Sequence, residues 1–304
     1  MAFALSSFGG VWPAMLTPLH DDLTPNEAMI DKLVNTFVDL ALDGIYLLGS
    51  TGHGQALPAD TRKAVAARAI KAAAGRLPVM VHVGSVSTAE SVALAKHAAD
   101  CGADAISSVP PIYFPCNADM VFEHYRRIGG ATDLPFLIYH IQLASTGFTN
   151  AVDYAKRIDA VPNIGGMKFT DHDLYTLSII RQHVAEHLRI FSGPDQLCCH
   201  AALSGACGAI GSFYNMFGPA VRKARAAFVN GDVEAGMRFM PVFARVLYEI
   251  TSTGNTYAYF RQAMQMRYGV EIGPGAAPNA AFGKPWDEAF IRRTFDGVDA
   301  AAGV

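Results

Sequence analysis

The sequence predicts an α/β fold, a (β/α)8 TIM barrel with appended C-terminal helices. Three observations carry this: eight short apolar runs at near-regular spacing, alanine-rich helical segments between them, and a change of pattern after the eighth run. The runs lie at 11–16, 44–48, 78–83, 105–109, 135–141, 164–169, 188–191 and 207–210. Helical spacing recurs between them, for example at 61–74, 89–100, 150–158 and 174–187. Strands alternating with helices pair in parallel through crossovers. Eight such units of roughly 30 residues fit a closed barrel. A doubly wound sheet is the alternative, but no Gly-x-Gly-x-x-Gly follows the first strand.

Local punctuation delimits the units. Ser87-Thr88-Ala89-Glu90 reads as an N-cap opening a helix, and Gly44, Gly75 and Gly102 follow helical runs as C-cap glycines would. After the eighth strand only helical periodicity remains, at 221–229, 233–252 and 256–268. A Gly/Pro/Ala-rich loop follows at 273–285, with a final helix expected at 286–294. Residues 1–218 are expected to form the barrel and 219–304 a helical extension packed on it.

Composition narrows the function class. The 304 residues are 51% hydrophobic and 17% charged, enough to bury a large core, and the formal net charge of -3 offers no footprint for nucleic acid or an anionic membrane. A small-molecule partner is expected. The five cysteines, Cys101, Cys116, Cys198, Cys199 and Cys207, form no C-x-x-C pair and read as reduced thiols. The first seven residues lack the basic region of a signal peptide, and no stretch is long and apolar enough to span a bilayer. A cytoplasmic location is expected.

Lys168 is the residue that points to chemistry. It sits in the run Asn163-Ile164-Gly165-Gly166-Met167-Lys168-Phe169-Thr170, and burying an ammonium favours the free amine, the nucleophile that Schiff-base chemistry needs. A lysine at a strand end that snorkels to water is the bland alternative. Barrel active sites lie at the C-terminal ends of the strands. That rule selects Gly49-Ser50-Thr51-Gly52, Pro111-Ile112-Tyr113, Tyr139-His140, Lys168-Phe169-Thr170, Gly193-Pro194-Asp195-Gln196 and Gly211-Ser212. The glycine and hydroxyl turn after the second strand suits a carboxylate or phosphate, although an ordinary strand-to-helix turn has the same residues.

Taken together, the Gly-Ser-Thr-Gly turn, Tyr139 followed by Thr146-Gly147, the Gly-x-Lys-x-Thr around Lys168, and the stretch from Gly208 through Gly211-Ser212 to Asn215 resemble the dihydrodipicolinate synthase / N-acetylneuraminate lyase family of class I aldolases. The resemblance runs from about Val11 to Asn215. It implies a Schiff-base enzyme acting on pyruvate or a 2-oxo acid, with Lys168 as the imine-forming lysine and no cofactor beyond that covalent imine. It further implies that Tyr139 shuttles protons, that Ser50 and Thr51 bind the pyruvyl carboxylate, and that Ser50 links Tyr139 to Tyr113. In many members that second tyrosine reaches a neighbouring subunit, and a homotetramer, a dimer of dimers, is the implied assembly.

Within the family, synthases carry an arginine between the strand-five tyrosine and the following Thr-Gly. Here Tyr139-His140-Ile141-Gln142-Leu143-Ala144-Ser145-Thr146-Gly147 has none, so dihydrodipicolinate synthesis is disfavoured. The stretch is closer to the lyase branch, as are Val81-His82-Val83-Gly84 and the residues around Lys168. By that likeness Thr170, Gly193, Asp195 and Ser212 would bind sugar hydroxyls. Gln196 departs from the glutamate of the lyases, His53 from the glutamate of the Gly-Thr-Thr-Gly-Glu turn, and Gln142 stands where proline is common. His53, His140 and His172 form no spaced metal-ligand set and are expected to hydrogen-bond or pack. Cys198-Cys199 is expected to pack as well.

The expected function is a Schiff-base aldolase, a carbon-carbon lyase, that cleaves a 2-oxo-3-deoxy sugar acid such as N-acetylneuraminate to pyruvate and an aldehyde. The alternatives are an aldolase or dehydratase for a shorter acid such as 2-keto-3-deoxygluconate, or a 2-oxo acid sensor that has lost turnover.

Overall fold

The computed structural model describes residues 3–278 and 283–304. Eight strands, β1 (Gly10–Pro13), β2 (Ile45–Leu47), β3 (Val79–His82), β4 (Ala105–Ser108), β5 (Phe136–His140), β6 (Ile164–Phe169), β7 (Arg189–Ser192) and β8 (Gly208–Gly211), fall where the apolar runs predict them. All seven ladders between them are parallel, in the order β1-β8-β7-β6-β5-β4-β3-β2. The ring closes between β1 and β2 through the bridge Ala14–Tyr46, where the Met15 amide donates to the Tyr46 carbonyl at 2.9 Å.

The crossovers are α1 (Glu27–Asp39), α2 (Ala59–Ala73), α3 (Thr88–Asp100), α4 (Ala118–Gly129), α5 (Ala151–Ile158), α6 (Leu174–His183) and the short α7 (His200–Leu203). After β8 come α8 (Tyr214–Val229), α9 (Val233–Thr251), α10 (Thr256–Tyr268) and α11 (Glu288–Ala302). The expected cap on α3 is present: the Ser87 side chain accepts from the Glu90 amide. Gly75 and Gly102 adopt φ of +69° and +86°, the left-handed conformation of helix ends.

Three expectations are corrected. Gly44 is not a helix cap; α1 ends at Asp39, and a Cβ on Gly44 would run into the Trp12 indole, so the glycine makes room for that ring inside the barrel. The last helix covers Glu288–Ala302 rather than 286–294, with Trp286 ahead of it donating its indole N–H to the Asn255 carbonyl at 3.1 Å. The helix expected from 221 starts at Tyr214, and α8 packs on β1, α9 and α11 alike.

Side-chain alternation along the strands divides the interior into two layers. Ile45, Leu47, Val79, Val81, Phe136, Ile138, Met167 and Phe169 face the helices and join one large core. Trp12, Tyr46, Met80, Leu137, Tyr139, Phe191 and Ile210 point into the barrel as a separate cluster. The lower end is plugged by rings, with Trp12 lying 5.1 Å from Phe8 and 5.3 Å from Phe191. Chemistry is therefore confined to the upper end, where this cluster ends in tyrosines and Lys168.

Candidate active site

Tyr139 and Lys168 are register partners on the adjacent strands β5 and β6, and both are buried, at 5% and 4% exposure. The Lys168 Nζ lies 4.2 Å from the centre of the Tyr139 ring. It lies 4.4 Å from the ring of Tyr46, a residue that sequence reasoning missed. The available signal was alternation: Ile45 and Leu47 face the helices, so the residue between them must face the barrel.

Burial pushes the Tyr139 phenol up, but the charge of Lys168 and the nearby Ser50 and Thr170 hydroxyls pull it below its ordinary 10.0 overall. A phenol in this position gives up its own proton more readily than one in water, so the ionised oxygen that can take a substrate proton is more accessible near neutral pH.

The turn that carries Ser50 and Thr51 is folded on its own backbone. Leu48 adopts φ +59°, the His53 amide donates to the Ser50 carbonyl at 3.1 Å, and Gly54 N–H donates to Gly49 at 3.1 Å. Thr17 Oγ1 ties the turn to the segment after β1 by donating to the Gly52 carbonyl at 2.7 Å. Thr51 and Ser212 hydroxyls meet at 2.6 Å, joining the ends of β2 and β8. Asn215 holds the far side: its Nδ2 donates to Ala14 and Ser212 carbonyls, both at 2.7 Å.

The rim is built from β6, β7 and β8. Gly193 allows Thr170 to approach, because a Cβ there would overlap the Thr170 hydroxyl. Asp195 accepts from the amides of Ser212 at 3.2 Å and Phe213 at 3.0 Å. Burial nevertheless raises it to about 6, against those two hydrogen bonds and the charge of Lys168. Gln196 Nε2 donates to His172 Nε2 at 2.8 Å. A cavity of about 250 Å³ is lined by Ser50, Thr51, Tyr139, Lys168, Thr170, Gly193, Asp195, Gln196 and Ser212 together with His172. Nine of the ten residues selected from the sequence meet there.

Residues 7–278 match the Dihydrodipicolinate synthetase family. The chain belongs to this family. It is 32% identical over 245 residues to the N-acetylneuraminate lyase of Rhizobium meliloti, covering 81% of each chain. A solved structure of the sialic acid aldolase of Ruminococcus gnavus, a mutant of its catalytic lysine, superposes with a TM-score of 0.90 at 25% identity, covering 100% of this chain and 99% of that one. CdNal of Clostridium difficile, solved in complex with mannosamine, superposes with a TM-score of 0.85 at 26% identity, covering 97% and 99%. The chain is a carbon-carbon lyase of the class I aldolase type, and enzymes of this type need no metal. Among the described residues no group of three or more His, Cys, Asp or Glu is placed to hold one, and no helix is long and apolar enough to cross a membrane.

Tyr113 is the tenth site residue of the family pattern, and this chain does not bring it to the others. It stands 75% exposed on the loop after β4, its ring edge-on to Phe114 at 5.0 Å. His53, in place of the family's glutamate, stacks on Tyr257 of α10 at 4.4 Å and accepts the Ala276 amide at 3.1 Å through Nδ1, fastening the turn to the C-terminal segment. His140 faces away from the site, stacked on Phe169 at 4.5 Å, and burial lowers it to about 4. Both histidines pack or hydrogen-bond, as expected. The buried Cys198 lies 3.6 Å from the Met240 sulfur.

Proposed function

We propose that the chain cleaves a 2-oxo-3-deoxy sugar acid, N-acetylneuraminate or a close relative, to pyruvate and an aldehyde through an imine on Lys168. One observation carries the reading: the Lys168 amine and the Tyr139 ring share a buried site, in register on neighbouring strands, with Ser50 and Thr51 at its edge. The relatives named above as lyases and aldolases support the substrate class.

The amine adds to the C2 carbonyl, and loss of one water leaves a protonated imine. That cation is an electron sink. The Tyr139 oxygen takes the proton of the C4 hydroxyl while the C3–C4 bonding pair moves toward the imine, giving an aldehyde and a neutral enamine. Protonation of C3 and hydrolysis by water then release pyruvate and the free amine. Ser50 and Thr51 bind the carboxylate, which registers C2 against the nitrogen. Thr170, Gly193, Asp195, Gln196 and Ser212 receive the hydroxyls of the aldehyde half. No cofactor enters beyond the imine.

Incubation with pyruvate and borohydride, followed by peptide mass spectrometry, should find the reduced adduct on Lys168. An unmodified Lys168 under conditions that label a known class I aldolase would refute the mechanism. A second reading, a shorter acid such as 2-keto-3-deoxygluconate, is favoured by the Gln196–His172 contact, which occupies the amide that would otherwise meet a distal hydroxyl. Pyruvate release across a panel of 2-oxo acids separates the two.

The proposal extends to a cytoplasmic homotetramer, a reading supported by five free cysteines and by the exposed Ile112, Tyr113, Phe114 and Met120 on the segment after β4. In that assembly Tyr113 of one copy completes the site of another. Light scattering that finds a monomer at working concentration would remove this part.

A further inference from the structure

The reaction above uses Lys168, Tyr139, Ser50 and Thr51 and leaves without a role Tyr46, whose ring faces the same nitrogen. Tyr46 is fully buried, and its phenol donates to Ser107 Oγ at 3.2 Å. It meets Tyr139 edge to face, at 6.1 Å and 87°, so the two rings form a right-angled corner. The Lys168 nitrogen sits in that corner, 4.4 Å from one ring centre and 4.2 Å from the other. Gly49 belongs to the same arrangement, because a Cβ there would stand 2.5 Å from Tyr46 Cε1 and push the Ser50 turn off the ring.

The third ring of the corner carries no charge. His82 Nε2 accepts the Val109 amide at 3.3 Å, which leaves Nδ1 to carry the proton toward the Leu48 carbonyl at 3.2 Å. A neutral imidazole beside Tyr46 and Tyr139 does not compete for their faces.

A cation within about 6 Å of a ring centre is attracted by the ring's quadrupole, more strongly when water is excluded. The ammonium of free Lys168 has three N–H donors to satisfy, whereas the protonated imine has one. Imine formation thus removes polar partners while keeping the positive charge. Ring faces then join the substrate's own carboxylate in stabilising that charge until the C3–C4 electron pair neutralises it.

We propose that Tyr46 is a positioning residue for the imine: its ring face, set at right angles to that of Tyr139, stabilises the cationic nitrogen of the Lys168 adduct and holds it at the end of β6. The proposal rests on the Lys168 reading and assigns a role to a residue outside it.

The test measures borohydride trapping of Lys168 at subsaturating pyruvate, with cleavage kcat alongside. Tyr46→Phe keeps the ring and should trap within about twofold of the unsubstituted protein, whereas Tyr46→Leu should lose about tenfold. Phenylalanines of increasing fluorination at position 46 keep the shape and weaken the ring face, so trapping should fall stepwise across the series. A merely structural ring would leave the series flat, and a flat series overturns the proposal, as does Tyr46→Phe trapping as poorly as Tyr46→Leu. If Tyr46→Leu does not fold, the fluorinated series decides alone. No adduct on Lys168 in the unsubstituted protein would sink the imine and this role together; an adduct insensitive to the series sinks only the role of Tyr46.

Discussion

The imine end and the aldehyde rim of this site are built differently. Lys168, Tyr139 and Tyr46 project from strands, are buried, and are held by rings and register. The rim is made of the segments after β6, β7 and β8, with the Gln196 amide bonded to His172 and the Asp195 carboxylate to backbone. Strand positions are fixed by ladders on both sides, so a reacting atom placed there keeps its geometry. Residues outside the strands can change without disturbing the barrel, and His53, Gln142 and Gln196, which depart from the family pattern, all lie in segments that follow strands. On the proposed mechanism, reaction type is set at the rigid end and substrate choice at the adaptable one.

The largest effect is expected at the imine end. Lys168→Met should abolish trapping and lower cleavage by on the order of a thousandfold or more, measured by coupled pyruvate detection. Residual turnover near the unsubstituted rate would end the distinction between the two regions. Tyr139→Phe comes next, with a kcat loss of about a hundred- to ten-thousandfold while pyruvate trapping on Lys168 persists. Loss of trapping in that variant would mean that Tyr139 acts in imine formation rather than in C–C cleavage.

Asp195 lies where the two regions meet, and its effect should be intermediate. Its carboxyl sits at about 6, so as pH falls through that value it gains a proton and weakens as acceptor for the Ser212 and Phe213 amides. The acid limb of kcat/KM should therefore lie near 6. Asp195→Asn should raise KM by roughly tenfold and remove that limb. A limb unchanged in the variant assigns it to another group.

Smaller still is the rim itself: Gln196→Glu should change the ratio of KM values between nine-carbon and six-carbon acids by about threefold to tenfold with kcat nearly constant. A change in kcat alone would place Gln196 in the chemistry. His140 should have no effect on rate. It lies near 4 when folded against 6.5 when free, so unfolded chains take up its proton first, and stability should fall as pH drops from 6.5 toward 4. His140→Phe, measured by melting temperature against pH, should reduce that slope, leaving the share due to the buried His82 and His124, with kcat unaltered.

Much of this was legible in the primary structure because the signals are local. Alternating apolar runs specify parallel strands whatever their partners, and Lys168 stands out because an ammonium inside an apolar run needs a reason. Tyr46 was not legible in the same way, since one aromatic inside an apolar strand reads as core until the opposite wall is known. Its partner Lys168 lies more than a hundred residues along the chain. His140 shows the converse. Adjacent to Tyr139 in sequence, it lies on the other side of the sheet, because successive strand residues face opposite ways.

By itself, the sequence determined the barrel, the family and the pairing of a strand-six lysine with a strand-five tyrosine, since strand period and motif order are properties of the chain. Only the tertiary structure decided that Lys168 sits in a corner of two rings, that Tyr113 stands apart from the site of its own chain, and that His53 clasps the C-terminal segment. Those contacts join residues distant in sequence, and their geometry follows from register, barrel closure and packing, which local pattern does not encode.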